Sequence, residues 1–162
     1  MTTAHGLLRS LTLVSALGAG LVAGVFFAFS TFVMKGLDRT PAPGGLTAMQ
    51  AINRAAPTPL FMLALFGTAL TCTVLGVSAF FRLDEPVARY QLTGCALYLV
   101  AIVLTAAYHV PRNDALDAVN PQSVGAAATW SHYVTNWTAW NHVRTVTSLA
   151  GAVMLTLAAR LA

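Results

Sequence analysis

The sequence predicts an all-α integral membrane protein, an antiparallel bundle of four transmembrane helices. First, 57% of the 162 residues are hydrophobic and only 9% are charged, whereas soluble domains have about 25% charged residues. Second, long windows without charge recur along the chain and match the thickness of a bilayer. Third, a connection of only seven residues, Leu83 to Arg89, joins the second and third spans, which makes them antiparallel neighbours.

The first span is predicted over Leu11 to Met34, which are 24 residues without a charge. His5 and Arg9 precede this run, as basic residues precede the apolar core of a signal peptide. That core is only about 7–15 residues long. We therefore interpret the segment as a retained membrane span.

The second and third spans follow from the same pattern. The second is predicted over Ala55 to Phe81, with its helix beginning after Pro57 and Pro59, because proline suits a helix start. The third is predicted over Tyr90 to Val110 and is expected to end at Pro111, because proline cannot continue a regular helix.

The fourth span is less regular. Thr145 to Ala159 gives only 15 charge-free residues, which is too short to cross the hydrocarbon layer. The span must therefore begin near Trp140, which takes Asn141, His142 and Arg144 into its outer turns. Polar side chains at that depth need partners from the protein.

The whole chain, residues 1–162, is expected to form one domain, since no linker or internal repeat divides it. Its nine Lys and Arg residues are scattered singly, so no basic stripe indicates nucleic acid as a partner. The lipid bilayer is the expected environment, and the location would be the plasma membrane in a bacterium. Cys72 and Cys95 are placed at different depths, and no disulfide between them is expected.

Small residues recur every four positions along the first span. Ala16, Gly20, Gly24 and Ala28 therefore lie on one helical stripe, which is typical of close packing between membrane helices. Two interpretations remain open. The stripe either closes the four-helix core or forms a homodimer.

Most of the unusual polar residues lie on the side of the long connections. The densest group runs from Trp130 to Arg144. At about 100° per residue, a helix brings five residues of this group and Ser148 to one face. The six are Trp130, Tyr133, Trp137, Asn141, Arg144 and Ser148. This face is interpreted either as an aromatic belt with a snorkelling arginine or as a site, because Arg, Asn and Trp together exceed what anchoring requires.

Two further groups share that side. His109 ends the third span, and its functional interpretation requires the ring to face the fourth span. Asn113 follows in the same segment, and Asn53 precedes the second span, where it could also be only a helix cap. We expect Asn53, Asn113 and the segment from Trp137 to Arg144 to meet at the mouth of a pocket.

Three histidines, His109, His132 and His142, lie on one side of the membrane and are the candidate ligands of a metal or haem. No HxxxH, ExxH or CxxC spacing is present. We therefore expect no metal or other cofactor, with haem or metal as the less favoured alternative.

Several motifs together resemble a family, the small four-span membrane proteins that are anthrone-oxygenase-like. The likeness covers most of the chain, and its more specific elements are Pro-x-Asn and Trp-x-x-Trp-Asn-His-x-Arg. The matching segments are Phe26 to Ser30 with Val33 and Met34, Met49 to Asn53, Val110 to Asn113 with Leu116, and Trp130 to Thr145. This chain has His109 and Arg112 where the family pattern has Asn and Leu, which implies a more polar pocket or another substrate.

The resemblance implies oxidation of a lipophilic aromatic substrate, such as an anthrone, by O2. Its mechanism needs a base, an oxyanion stabiliser and a flat apolar pocket. His142 or His109 would be the base, and Arg144 with Asn141 would stabilise the oxyanion. The substrate-binding residues would be Trp137, Trp140, Trp130, Tyr133, Asn53 and Asn113. The alternative is a non-enzymatic bundle that binds a lipid, quinone or haem, or a membrane subunit of a larger complex.

Overall fold

The structure, a computed structural model, describes residues 2–161, with side chains from residue 5 onward. Across this part of the chain it is helical, without strands. The α-helices are α1 (Thr2–Ala28), α2 (Met34–Asp38), α3 (Ala42–Ala55), α4 (Pro59–Met62), α5 (Thr68–Phe80), α6 (Pro86–Leu104), α7 (Val110–Asp117) and α8 (Ala126–Leu161). Three π-helical segments join some of them end to end, at Phe29–Val33, Leu63–Gly67 and Thr105–His109.

Four helical stretches are long and apolar enough to cross a membrane, which confirms the predicted fold class. Span 1 is His5–Asp38, span 2 is Pro59–Phe80, span 3 is Pro86–Asp117 and span 4 is Ala126–Leu161. Residues 81–85 make the one short connection between spans. The longer connections lie at the opposite end, and α3 belongs to the first of them.

The helix of span 2 begins at the prolines, as predicted, and not at Ala55, where the charge-free window starts. The helix starts at Pro59, and the hydroxyl of Thr58 caps it by accepting a hydrogen bond from the backbone N–H of Phe61 at 3.2 Å. Asn53 lies inside α3. The interpretation of Asn53 as the cap of the second span is therefore wrong.

Span 3 continues past Pro111, contrary to the prediction that proline ends it. The π segment Thr105–His109 comes directly before, and Pro111 lies in the first turn of α7. A proline is tolerated in a first helical turn because the missing N–H would have no regular partner there. The helix therefore reaches Asp117 and carries Asn113 with it.

Span 4 is the centre of the bundle and packs mainly against α6 and α1. The closest approach is between Gly94 and Gly151. A Cβ atom on Gly151 would lie 2.9 Å from the carbonyl oxygen of Gly94. Tyr98, Leu75 and Leu155 fill the core around this crossing.

The small residues on the stripe of span 1 do not all pack against the same surroundings. Ala16 belongs to the core, but a Cβ atom on Gly20 or Gly24 would meet no atom of this chain within 4 Å. The two glycines therefore do not close the four-helix core, because they face away from it. The homodimer through Ala16, Gly20, Gly24 and Ala28 stays a prediction. Cys72 and Cys95 are free and buried.

Candidate functional site

Each π segment exchanges a hydrogen bond with a polar side chain from another span. In span 1, the backbone carbonyl of Phe26 and the hydroxyl of Ser30 accept from Asn141 Nδ2 at 2.8 and 2.7 Å. In span 2, Leu65 O accepts from the Tyr98 hydroxyl at 2.9 Å. In span 3, Thr105 Oγ1 accepts from Arg144 at 3.1 Å. π-bulges are common at functional sites, and here three of them surround the same region.

A cavity of about 610 Å³ lies between these segments and extends toward the long connections. Its inner wall is apolar and includes Phe26, Phe29, Met62 and Leu65. Its polar lining comprises Asn53, Thr105, His109, Asn113 and Arg144, and the rim adds Asp114 and the ion pair between Arg54 and Asp117. The site is thus a mostly apolar chamber with a few convergent polar groups, the usual form of a small-molecule site.

Arg144 is the charged residue of the inner cavity, and only 5% of it is exposed. Its Nη2 donates to Asn141 Oδ1 at 2.7 Å, and its Nη1 donates to Thr105 Oγ1. Its Cζ lies 4.2 Å from the centroid of the Phe26 ring. The sequence predicted that a polar side chain at this depth needs partners from the protein, and Arg144 has them in the hydroxyl of Thr105 and the amide oxygen of Asn141.

No carboxylate among residues 5–161 lies within ion-pair distance of Arg144. Its Nε is also buried without a hydrogen-bond partner. A buried cation is normally paired with an anion, because desolvation of an isolated charge is costly. The cavity therefore contains an unbalanced positive charge next to open space.

Asn141 is fully buried and orients Arg144. Its amide nitrogen is occupied by span 1, so its oxygen faces the guanidinium. Ser30 also bonds to the hydroxyl of Thr145 at 2.9 Å. The network fixes the rotation of span 4 relative to span 1.

His109 is 1% exposed and lines the cavity at the end of the π segment in span 3. Its Nδ1 lies 3.2 Å from the backbone carbonyl oxygen of Leu104. Since a carbonyl can only accept, Nδ1 carries the proton and Nε2 of the neutral ring carries the lone pair. Nε2 is buried and has no hydrogen-bond partner.

Trp137 lies between the two candidate groups of the site. The imidazole of His109 meets its indole edge-on, with the ring centroids 5.1 Å apart. Arg144 Cζ is 5.3 Å from the same indole, and the Phe29 ring is 5.7 Å away. The indole is held in place because its Nε1 donates to Asn113 Oδ1 at 2.9 Å.

Asn113 also accepts a hydrogen bond from the hydroxyl of Tyr133 at 2.8 Å. Tyr133 is therefore a support of the cavity wall and does not line the cavity itself. Asn53 lines the cavity from α3, and its Nδ2 is buried without a partner. Asn53, His109 and Arg144 thus all line the same cavity, and each has a buried polar atom without a hydrogen-bond partner.

Three residues proposed from the sequence lie elsewhere. His142 is exposed and lies in a separate shallow groove with Lys35, Asp38 and Thr138. Trp140 is 41% exposed and packs against Tyr108 outside the cavity. Trp130 is buried, but it packs beyond Tyr133 in a second apolar cluster.

The positions of His142 and Trp140 correct their proposed roles as base and stacking wall. Both positions follow from helical geometry, because Trp140 and His142 each lie one residue, or about 100°, from Asn141, which is on the buried face of α8. That face itself is confirmed, since Trp130, Tyr133, Trp137, Asn141, Arg144 and Ser148 are all buried.

The sequence reasoning missed Thr105, Ser30 and Gln50. Thr105 precedes His109 by four residues, so a shared helical face was a usable signal. Gln50 is 5% exposed and donates to the carbonyl oxygens of Leu116 and Val119, both at 2.9 Å, which fastens α3 to the end of span 3. Its position carried no local signal, because its partners are remote in sequence.

No group of three or more His, Cys, Asp or Glu side chains in the described part of the chain is placed to hold a metal ion. The polar groups at the cavity are instead a neutral imidazole, amides, a hydroxyl and a guanidinium. Such groups can remove a proton and stabilise an oxyanion.

Comparison with known proteins supplies the family. No curated protein and no solved structure matches the chain. The sequence model for anthrone oxygenase matches residues 60–154, which is more than half of the chain. The match includes span 2 except its first residue, all of span 3, His109 and Arg144. The protein therefore belongs to the anthrone oxygenase family.

Proposed function

We propose that the protein is a membrane-embedded oxygenase that converts the acidic CH2 group of a lipophilic aromatic ketone, of anthrone type, to a carbonyl group. O2 is the oxidant, and no cofactor takes part. One observation carries the proposal. The cavity holds a buried arginine without a carboxylate partner beside a histidine whose Nε2 is unpaired. A neutral acid that becomes an anion on losing its proton fits both groups.

His109 is the proposed base. Its Nε2 lone pair takes a proton from the CH2 group, and Nδ1–H keeps its hydrogen bond to Leu104 O. That bond fixes the tautomer and stabilises the imidazolium that forms. The negative charge moves onto the ketone oxygen of the substrate.

Arg144 is the proposed partner of that oxygen. Its guanidinium is held by Asn141 and Thr105 before the substrate binds, so little reorganisation is needed when the charge develops. The charge is desolvated, which strengthens its interaction with an oxyanion. Asn53 also lines the cavity, and its amide Nδ2, which has no partner in this chain, is the proposed second donor.

The reaction balances with O2 alone. The carbanion form of the substrate reduces O2 and a C–O bond forms, giving a hydroperoxide after it takes a proton from the imidazolium. Loss of water from the hydroperoxide breaks the O–O bond and the remaining C–H bond. The sum is one CH2 group and one O2 giving one C=O group and one H2O, with His109 restored.

Aromatic side chains would hold the flat substrate. Trp137, Phe26 and Phe29 line the cavity around Arg144 and His109, and stacked or edge-on aromatic contacts favour a polycyclic ring system. The cavity volume of about 610 Å³ is within the usual range for small-molecule sites.

The test measures O2 uptake and quinone absorbance with an anthrone and purified protein in nanodiscs. His109→Gln should lower the rate about 10²–10⁴-fold, the usual contribution of a general base. His142→Gln is the matched control, because this histidine lies on the same side of the membrane outside the cavity. A larger loss in His142→Gln than in His109→Gln would refute the assignment.

The absence of a cofactor is tested separately, by metal analysis and an absorbance spectrum of the same preparation. A bound chromophore or a stoichiometric metal would overturn the cofactor-free mechanism. If an anthrone or anthraquinone raises the melting temperature without any O2 uptake, the cavity binds such molecules without reacting, which is the non-enzymatic alternative.

A further inference from the structure

We infer that the cavity opens sideways into the bilayer between spans 2 and 3, and that Phe66 and Val110 frame this portal and select substrates dissolved in the membrane. The inference rests on the proposed function for the nature of the substrate. The geometry of the opening is independent of it.

The first observation is that the two residues are in contact with both the cavity and the outer surface of the bundle. Phe66 and Val110 line the cavity, yet they are 56% and 46% exposed. A side chain that lines an enclosed chamber would be buried. The cavity therefore reaches the outer surface of the bundle at these residues.

The second observation is their depth. Phe66 is seven residues into span 2, which starts at Pro59, and Val110 is seven residues before the end of span 3 at Asp117. At the rise of a helix, both lie about 10 Å inside their ends. Span 3 is ten residues longer than span 2, and both meet at the short connection, so Val110 lies closer to the long connections than Phe66. The two side chains therefore mark the outer and the inner edge of the opening.

The third observation is the packing of these spans. Spans 2 and 3 pack closely where α5 meets α6, and Tyr98 still reaches Leu65 at the π segment. Beyond that level α7 packs against α3 and α8, and not closely against α4. The spans therefore diverge toward the long connections, where the cavity lies.

The chemistry of the two openings differs. The rim on the long-connection side carries Asp114 and the ion pair of Arg54 with Asp117. A polycyclic ketone would have to leave the bilayer and pass these charges to use that route. The opening between Phe66 and Val110 is an apolar route from the bilayer, so such a molecule stays out of water.

The experiment places a bulky group at the portal. Single cysteines replace Phe66 or Val110 and are labelled with a large thiol reagent in nanodiscs. Leu63→Cys and Val103→Cys are the matched controls, since they lie on the same spans, are 68% and 64% exposed and do not line the cavity. Native Cys72 and Cys95 are buried, so the reagent is directed to the introduced thiol.

The first readout is the binding rate of a bilayer-soluble quinone, followed by quenching of tryptophan fluorescence in a Trp140→Phe background. Trp137 lines the cavity and reports occupancy. Labels at positions 66 and 110 should slow binding at least about tenfold, within the range over which access changes association rates. Labels at positions 63 and 103 should leave it unchanged. This readout needs no turnover, so it tests the portal even if the proposed reaction is absent.

The second readout compares turnover of a lipophilic anthrone with that of a sulfonated, water-soluble one. Blocking the portal should slow the lipophilic substrate and spare the soluble one, which enters through the rim. Equal loss with both substrates, or equal binding rates at all four labelled positions, would overturn the portal. If labels at positions 66 and 110 slow quinone binding and the protein takes up no O2, only the proposed oxygenase activity is overturned.

Discussion

Arg144 and Asn141 lie one helical turn apart and are joined by a hydrogen bond of 2.7 Å from Nη2 to Oδ1. The amide nitrogen of Asn141 is bound to span 1. The direction of the amide is thereby fixed, and the guanidinium is held by a neutral oxygen. The positive charge is positioned without being cancelled, which is what an anion site requires.

The first prediction concerns the neutral amide oxygen of Asn141. Asn141→Asp should place a carboxylate against Arg144, cancel its charge and lower turnover and binding of anionic ligands at least about tenfold, which corresponds to about 1.4 kcal/mol. Stability should fall by about 1–3 kcal/mol, because the carbonyl of Phe26 loses its donor. The checks are ligand titration and thermal unfolding in detergent. Asn136→Asp, the same change on an outer face of α8, should alter neither.

The second prediction concerns the shape of the cation. Arg144→Lys keeps the charge but cannot bond Asn141 and Thr105 at the same time in the planar geometry of a guanidinium. The variant should fold and lose about 10²-fold or more in turnover, as when an oxyanion donor is removed. Arg9→Lys and Arg160→Lys are exposed controls and should be silent. Unchanged stability and turnover in Arg144→Lys would mean that this arginine serves neither the site nor the fold and only reaches the membrane surface.

The third prediction concerns Asn113, which accepts from Tyr133 and Trp137. Asn113→Leu leaves two buried donors unpaired and should cost about 1–3 kcal/mol for each. Asn113→Asp retains an acceptor oxygen and should stay close to the parent in melting temperature. A double-mutant cycle with Tyr133→Phe measures the pair, with an expected coupling near the 0.6 kcal/mol average for hydrogen bonds in membrane proteins. Strict additivity would show that the two side chains do not interact.

The fourth prediction concerns the crossing of spans 3 and 4. Gly151→Ala places a Cβ atom 2.9 Å from Gly94 O and 3.2 Å from the backbone nitrogen of Tyr98. Backbone atoms cannot move aside independently, so this overpacking should cost about 1–3 kcal/mol. Gly24→Ala has open space and should be neutral or stabilising by up to about 1 kcal/mol in the monomer. Thermal unfolding of both variants tests this prediction, and equal melting temperatures would contradict the close approach of Gly94 and Gly151.

The predicted homodimer is tested by substitutions in the small-residue stripe of span 1. Gly20→Leu and Gly24→Leu should disrupt a dimer without unfolding the protomer, since neither position is covered by this chain. Sedimentation in detergent measures the oligomeric state. A parent protein that is monomeric under these conditions would remove the dimer from consideration.

The sequence by itself determined the four spans and the buried face of span 4. Both depend on local physical properties. A bilayer requires long apolar helices whose backbone groups are satisfied internally. The 3.6-residue period then places Trp137, Asn141 and Arg144 on one side of a helix, and His142 on another.

Only the tertiary structure decided which histidine enters the site and where the spans end. A π segment adds a residue to a helical turn and so rotates everything that follows by about 100°. The segment Thr105–His109 carries the helix past Pro111 and brings His109 to the cavity. The hydroxyl of Thr105 in this segment accepts a hydrogen bond from Arg144, which lies 39 residues further along the chain. No local pattern contains such a pair, because the hydrogen bonds that accompany the π segments come from other spans.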